Sequence, residues 1–236
     1  MAETSFADSY ASRRKEIAQY FDRTAAAAWS KLTSDAPLGR IRQSVRAGRD
    51  AMRDTLLGWL PTDLRDRRIL DAGCGTGAFA VAAAQRGASV VALDLSPTLI
   101  SLARERTPPL RCGSIDFRAG DMRDIDLGRF DHIVAMDSLI HYGVRDSMDL
   151  LETFASRCER SVLFTFVPRT PALAVMHSIG RLFPRTDRAP DVVPVGEATL
   201  RRDIESQLTQ SGWQIRQSRR VASGFYTSHA LELVRR

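Results

Sequence analysis

Apolar positions recur along the chain at two different spacings, and the change from one to the other divides it. Over Ser12–Trp29 the apolar residues Ile17, Ala18, Phe21, Ala25 and Trp29 fall three or four apart, which predicts one face of a helix. A second helix is predicted over Leu38–Trp59, with Ile41, Val45, Met52, Leu56 and Trp59 as its apolar set and Pro61 closing it. Beside that stripe, Arg42, Arg46, Arg49 and Arg53 follow at intervals of four, three and four and so share a face. Two readings of that face stay open: a solvated arginine stripe, or one turned toward an anion or a partner.

From Arg67 onward short apolar runs alternate with helical patterns. Strands are predicted at Arg68–Asp71, Ser89–Asp94, Ile115–Ala119, Ile133–Met136 and Ser161–Val167, and helices at Ala78–Arg86, Pro97–Arg106 and Ser147–Ser156. Ser96 is placed as an N-cap with proline at the first helical position. This order calls for an α/β fold, a mostly parallel sheet with helices on both faces. The proline-bearing stretch Pro168–Pro194 is the least regular, with a short apolar helix near Leu173–Leu182, and reads as a lid-like insertion. A helix over Glu197–Ser211 ends at Gly212, and Trp213–Arg219 with Ser228–Val234 forms a closing antiparallel hairpin. The expected organisation is a helical substrate-cap region over 1–60 on a core over 61–236 that includes the 168–194 insertion.

Composition narrows the partners only a little. The 236 residues are 44% hydrophobic and 26% charged, enough for a packed core and too balanced for disorder. The net charge is +6, and arginine supplies all of the basic residues except Lys15 and Lys31. Excess arginine favours an anionic partner without choosing nucleic acid, lipid or an acidic ligand. Cys74, Cys112 and Cys158 have neither disulfide nor zinc-ligand spacing, which fits a reducing, cytoplasmic setting. No apolar run approaches the roughly 18 residues of a membrane span, and the amino terminus lacks a signal-like segment.

The strongest local signal is Asp71-Ala72-Gly73-Cys74-Gly75-Thr76-Gly77, directly after a strand and before a helix. Glycines there allow a tight turn and a ligand against the outward-pointing amides of the helix start. Asp94 closes the next strand, where a ribose diol needs an acceptor, although it also fits as a cap for the following helix. Gly73, Gly75 and Ala78 satisfy the relaxed dinucleotide fingerprint too. Against a pyrophosphate stand Asp71 and the pair Gly120-Asp121, acids that repel phosphate and suit a sulfonium-bearing zwitterion; Asp121 also reads as an exposed turn acid. Cys74 reads as space-filling.

Residues 68–143 resemble the class I S-adenosylmethionine-dependent methyltransferases, through DAGCGTG, Asp94, Asp121-Met122 and FDHIVAMDSLIHY. The resemblance implies a Rossmann-like, mostly parallel seven-stranded sheet with helices on both faces and an antiparallel C-terminal strand. It also implies S-adenosyl-L-methionine as methyl donor, held by Asp71, Gly73, Cys74, Gly75, Gly77, Asp94, Leu95, Asp121, Met122 and Asp137. No Asn/Asp-Pro-Pro-Tyr/Phe tetrapeptide follows the fourth strand, so amino methylation of DNA is disfavoured.

Outside that core, six segments resemble the magnesium-protoporphyrin IX O-methyltransferases of the chlorophyll and bacteriochlorophyll pathway. They are Tyr20-Phe21 with Trp29, Ile41–Gly48, Leu139-Ile140-His141-Tyr142, residues 178–184, Ser211-Gly212-Trp213 and residues 224–228. The resemblance implies methylation of the C13 propionate of magnesium protoporphyrin IX, with magnesium arriving only inside the porphyrin. Tyr20 and His141 are then the acceptor-side catalytic candidates. Trp29, Arg42, Arg46, Tyr142 and Tyr226 are the candidate porphyrin contacts. It further implies a handover from the large, porphyrin-binding subunit of magnesium chelatase, and the excess arginine adds a peripheral membrane contact. Nucleic acid is not an expected partner. The competing readings are a methyltransferase for another small acid or quinone precursor, a noncatalytic binding module, and a dehydrogenase.

Overall fold

The computed structural model describes residues 4–24, 39–123, 128–169 and 192–236, with side chains described from Tyr10 to Asp22 in the first stretch. Its elements in chain order are α1 (Thr4–Gln19), a π-helical turn (Tyr20–Thr24), α2 (Arg40–Trp59), β1 (Arg68–Ala72), α3 (Ala78–Gln85), β2 (Ser89–Asp94), α4 (Pro97–Arg106) and β3 (Ser114–Ala119). There follow β4 (Phe130–Ala135), a 3₁₀ turn (Leu139–His141), α5 (Val144–Arg157), β5 (Cys158–Phe166), α6 (Glu197–Leu208), a second 3₁₀ turn (Thr209–Ser211), β6 (Trp213–Ser223) and β7 (Tyr226–Arg235).

One seven-stranded sheet runs in the order β3-β2-β1-β4-β5-β7-β6. The first five strands are parallel, and β7 joins β5 antiparallel, with Val162 opposite Leu233. Successive residues of a strand point to opposite faces, and both faces here are covered. On β2, Val91 and Leu93 enter the core that holds Phe154 and Trp213, whereas Val90 and Ala92 enter the one that holds Met52, Leu56 and Phe79. Burial on both sides explains why the central strands read as unbroken apolar runs rather than alternating ones. The outer strand β6 leaves alternate polar residues exposed, which keeps that edge from pairing with another chain.

The local signals that mark helix ends act as expected. The Ser96 side chain accepts from the Leu99 N–H at 3.2 Å with Pro97 opening α4, and Gly212 (φ 82°) turns the chain in the left-handed region. The N-terminal region departs from the reading of its pattern. Its helix starts at Thr4 rather than Ser12, stops at Gln19, and gives way to the π turn, while residues 25–38, including Trp29, lie outside the described residues. Asp22 fastens that turn to the start of α4, accepting from the Thr98 N–H and hydroxyl and from Ser96. This bond, 76 residues apart in the chain, has no counterpart in helical periodicity. The hairpin is longer than predicted, since its strands continue to the tight Gly224-Phe225 connection. Of the 168–194 insertion, only its ends are described; the Arg169 N–H bonds the Val195 carbonyl at 2.9 Å and ties them together. No helix among the described residues is long and apolar enough to cross a membrane.

Candidate active site

At the carboxyl ends of β1, β2 and β4 the sheet opens into a cleft lined by residues from the β1, β2 and β4 ends and from α1 and α2. Its floor is the glycine turn after β1. Gly73 and Cys74 donate N–H bonds to the Leu93 carbonyl at 2.8 and 2.9 Å, pinning the turn against β2. Gly73 (φ 84°) and Gly75 (φ 54°) both line the cleft in the left-handed region. A Cβ on Gly73 would run into the Ser138 side chain across the cleft, so the sequence needs glycine there for conformation and for room. Gly77 (φ 79°) stands behind the wall, where a Cβ would meet the Phe117 ring.

Asp94 is on the wall. Its carboxylate accepts from the Gly75 N–H at 2.8 Å and the Ser96 N–H at 3.0 Å, so it both shapes the turn and caps the next segment. Burial pushes its pKa up, and backbone N–H groups hold part of that rise back. Asp71 is not on the wall. It is 1% exposed, accepts from the Ala80 N–H beneath the start of α3, and its Oδ2 finds no hydrogen-bond partner among the described residues. Burial first, and then the Asp94 charge, push its pKa up to about 7. Asp71 thus stands behind the lining residues, where it acts on the cleft through its field. The two buried acids make the cleft floor electronegative, which disfavours a pyrophosphate and suits a cationic ligand. Cys74 is half-buried, and burial holds its thiol well above the usual range, which disfavours the thiolate that a nucleophile needs.

Leu95, Leu99 and Met122 supply an apolar wall for a flat ring. Asp121, beside Met122, is committed elsewhere. Its carboxylate accepts from the Tyr10 hydroxyl at 2.7 Å, the Arg14 guanidinium at 2.9 Å and the Arg123 N–H at 2.8 Å. Tyr10 is itself stacked on Tyr142 at 5.3 Å. Asp121 thus fastens α1 across the cleft, a job that sequence reading missed because Tyr10 and Arg14 lie more than 100 residues upstream.

On the acceptor side, His141 lines the cleft and forms a T-shaped pair with Phe21, ring centroids 5.8 Å apart, and Phe21 forms another with Tyr20 at 5.3 Å. Phe21 thus stands between Tyr20 and His141, and Tyr20 is not among the described residues that line the cleft. Tyr142 is buried at the base of the cleft. Of the arginine stripe, Arg42 is exposed and Arg46 half-buried, neither of them on the wall; Arg49, one helical step further on, reaches it. Arg49 Nη1 meets Asp137 Oδ2 at 2.8 Å.

Asp137 follows β4 with φ 52°, a conformation that costs a non-glycine residue about 1 kcal/mol or more. A dense set of bonds holds it there. Its N–H donates to Thr165 Oγ1 at 2.8 Å, and its carboxylate accepts from Thr165 at 3.1 Å, Tyr226 at 3.1 Å and Ser228 at 3.2 Å. Tyr226 therefore acts as a support beneath Asp137 rather than as part of the cleft wall.

Against known proteins, residues 69–160 match a methyltransferase-domain family and residues 135–235 match the family described as magnesium-protoporphyrin IX methyltransferase C-terminus. The chain is 44% identical over 224 residues to the magnesium-protoporphyrin O-methyltransferase of Rhodobacter capsulatus, covering 94% of this chain and 97% of that one. To the Synechocystis magnesium-protoporphyrin O-methyltransferase it is 28% identical, covering 93% and 95%. The crystal structure of the Synechocystis magnesium protoporphyrin IX methyltransferase with bound S-adenosylhomocysteine superposes with a TM-score of 0.80 at 26% identity, over 94% of this chain and 99% of that one.

Proposed function

This chain belongs to the magnesium-protoporphyrin O-methyltransferase family, and from that premise we propose that it methylates a propionate carboxylate of magnesium protoporphyrin IX, at C13, with S-adenosyl-L-methionine as donor. What supports the acceptor, beyond methyl transfer in general, is that the likeness runs through both halves of the chain. The family-specific match covers 135–235, which holds His141 and the Asp137 support.

The residues present fit the donor. Glycines at 73 and 75 leave a cradle that a side chain would fill, Asp94 faces the cleft as a diol acceptor, and an electronegative floor favours a cation. When bound, S-adenosyl-L-methionine supplies a methyl group on a positive sulfur, which an already anionic carboxylate takes up without first giving up a proton. A propionate has a pKa of about 4 to 5, so the site needs no strong base. The chain's task is alignment and exclusion of water. His141 donates a hydrogen bond to the acceptor carboxylate, and Phe21 holds its ring. Ile17 and Phe21 bring α1 and the π turn over the cleft as the apolar part of a cap whose rear is tied down at Asp121. Residues 1–60 serve as that cap. Transfer of the porphyrin from the large subunit of magnesium chelatase and contact with a membrane from the cytoplasmic side extend the same proposal.

The test incubates the purified protein with methyl-labelled S-adenosyl-L-methionine and either magnesium protoporphyrin IX or the metal-free porphyrin, and identifies products by mass and ester position. A 13-monomethyl ester formed mainly from the magnesium compound is expected. No transfer while S-adenosylhomocysteine still binds would send the search to another acceptor, such as a different small carboxylic acid.

A further inference from the structure

Under the methyl-transfer reading, both molecules that meet in the cleft carry a carboxylate, and a carboxylate leaving water needs a cation or several N–H donors. Among the described residues that line the cleft, Arg49 is the sole lysine or arginine, facing the acids Asp94 and Asp137. Its side chain is 22% exposed and comes from α2, an element otherwise packed on the sheet through Met52 and Leu56. Its partner Asp137 is 5% exposed and is gripped by three hydroxyl groups. Arg49 is thus fixed at one edge by a group that is itself fixed. A guanidinium carries five N–H donors in a rigid planar fork, so an anchor at Nη1 orients the whole plane in the cleft.

We propose that Arg49 is the carboxylate-recognising residue of this cleft and that Asp137 is the positioning residue that aims it. The proposal rests on the methyl-transfer reading above. A simple structural ion pair between α2 and the sheet would also bring Arg49 and Asp137 together, but it would give ligand affinity no dependence on a carboxylate. Two carboxylates qualify, that of the donor's amino-acid end and the acceptor's propionate. Asp137 is followed by Ser138, whose side chain packs against the Gly73 turn.

Calorimetric titration of the full chain separates the cases, with Arg49→Gln, Arg49→Lys and the charge-balanced double variant Arg49→Gln/Asp137→Asn beside the wild type. The probes are S-adenosylhomocysteine, its decarboxylated analogue, magnesium protoporphyrin IX and the dimethyl ester of that porphyrin. Loss of one charge-assisted bond should weaken the matching ligand roughly tenfold or more and leave its carboxylate-free analogue unchanged, with Lys recovering part of the loss. A loss confined to S-adenosylhomocysteine assigns the donor carboxylate, and one confined to the porphyrin diacid assigns the propionate. Equal effects on ligands with and without the carboxylate, or no effect in any variant, overturn the proposal. The double variant guards against misfolding from an unpaired buried Asp137. Failure of the wild type to bind either ligand refutes the methyl-transfer reading itself.

Discussion

Asp71 gives the structure a measurable pH signature. The carboxyl is buried at the end of β1 and its pKa is pushed from 3.8 up to about 7, by burial and by the neighbouring Asp94 charge. A group that holds its proton more tightly folded than unfolded adds stability that is fully present below the unfolded pKa and is lost as pH rises through the folded one. Here that window runs from pH 3.8 to about 7. At 1.36 kcal/mol per pH unit, the rise corresponds to ~4 kcal/mol at most, lessened by any relaxation that admits water. Asp71→Asn keeps an oxygen for the Ala80 N–H and removes the titration. Urea denaturation of both proteins at pH 4.5, 6, 7 and 8 should show the variant gaining on the wild type by several kcal/mol across the series and exceeding it at pH 8. Parallel stability curves, with a constant difference between the proteins, would refute the reasoning. A linked readout comes from binding. A cationic ligand in the cleft draws the Asp71 pKa down, so S-adenosyl-L-methionine binding at pH 7 should release a fraction of a proton. Calorimetry in buffers of different ionisation enthalpy should register that release in the wild type and find it absent from Asp71→Asn.

Two further expectations concern α2 and its surroundings. Gly48→Ala would place a Cβ 2.7 Å from Cγ of Tyr226, forcing the ring off Asp137, and should cost ~1–3 kcal/mol in thermal denaturation; Gly58→Ala in the same helix meets nothing within 4 Å and should gain up to ~1 kcal/mol. Ile41 and Phe225 are 58% and 56% exposed, and the adjoining contact of Gly224 with Ser44 sets the hairpin tip beside the start of α2, where Arg40 and Arg42 are exposed. Flotation with anionic vesicles at low salt should carry the wild type and lose Ile41→Ser/Phe225→Ser; equal recovery of both proteins would remove this surface from the account of membrane contact.

Local pattern specified most of the architecture. Valine-rich runs such as Ser89–Asp94 could be recognised as central strands because covering both faces demands unbroken apolar sequence, and Gly73-Cys74-Gly75 marked the ligand turn because few other residues tolerate that backbone. The capping roles of Asp94 and Ser96 were legible because those bonds close within two or three residues, whereas the Asp94 bond to the Gly75 N–H spans 19. What packing alone decided are the pairings across distant segments. Periodicity put four arginines on one face of α2, yet the way α2 lies across the sheet determined that Arg49, and neither Arg42 nor Arg46, overhangs the end of β4. Likewise nothing in the local sequence shows that Asp121 takes Tyr10 and Arg14 of α1 as partners. The burial of Asp71, behind the residues that line the cleft, likewise follows from packing and not from its place in the motif. Such partners stand 88 to 111 residues apart, and spacing along a chain carries no signal about which distant side chain will satisfy a buried charge. Burial makes that pairing compulsory, while the angle at which each helix settles on the sheet selects the partner.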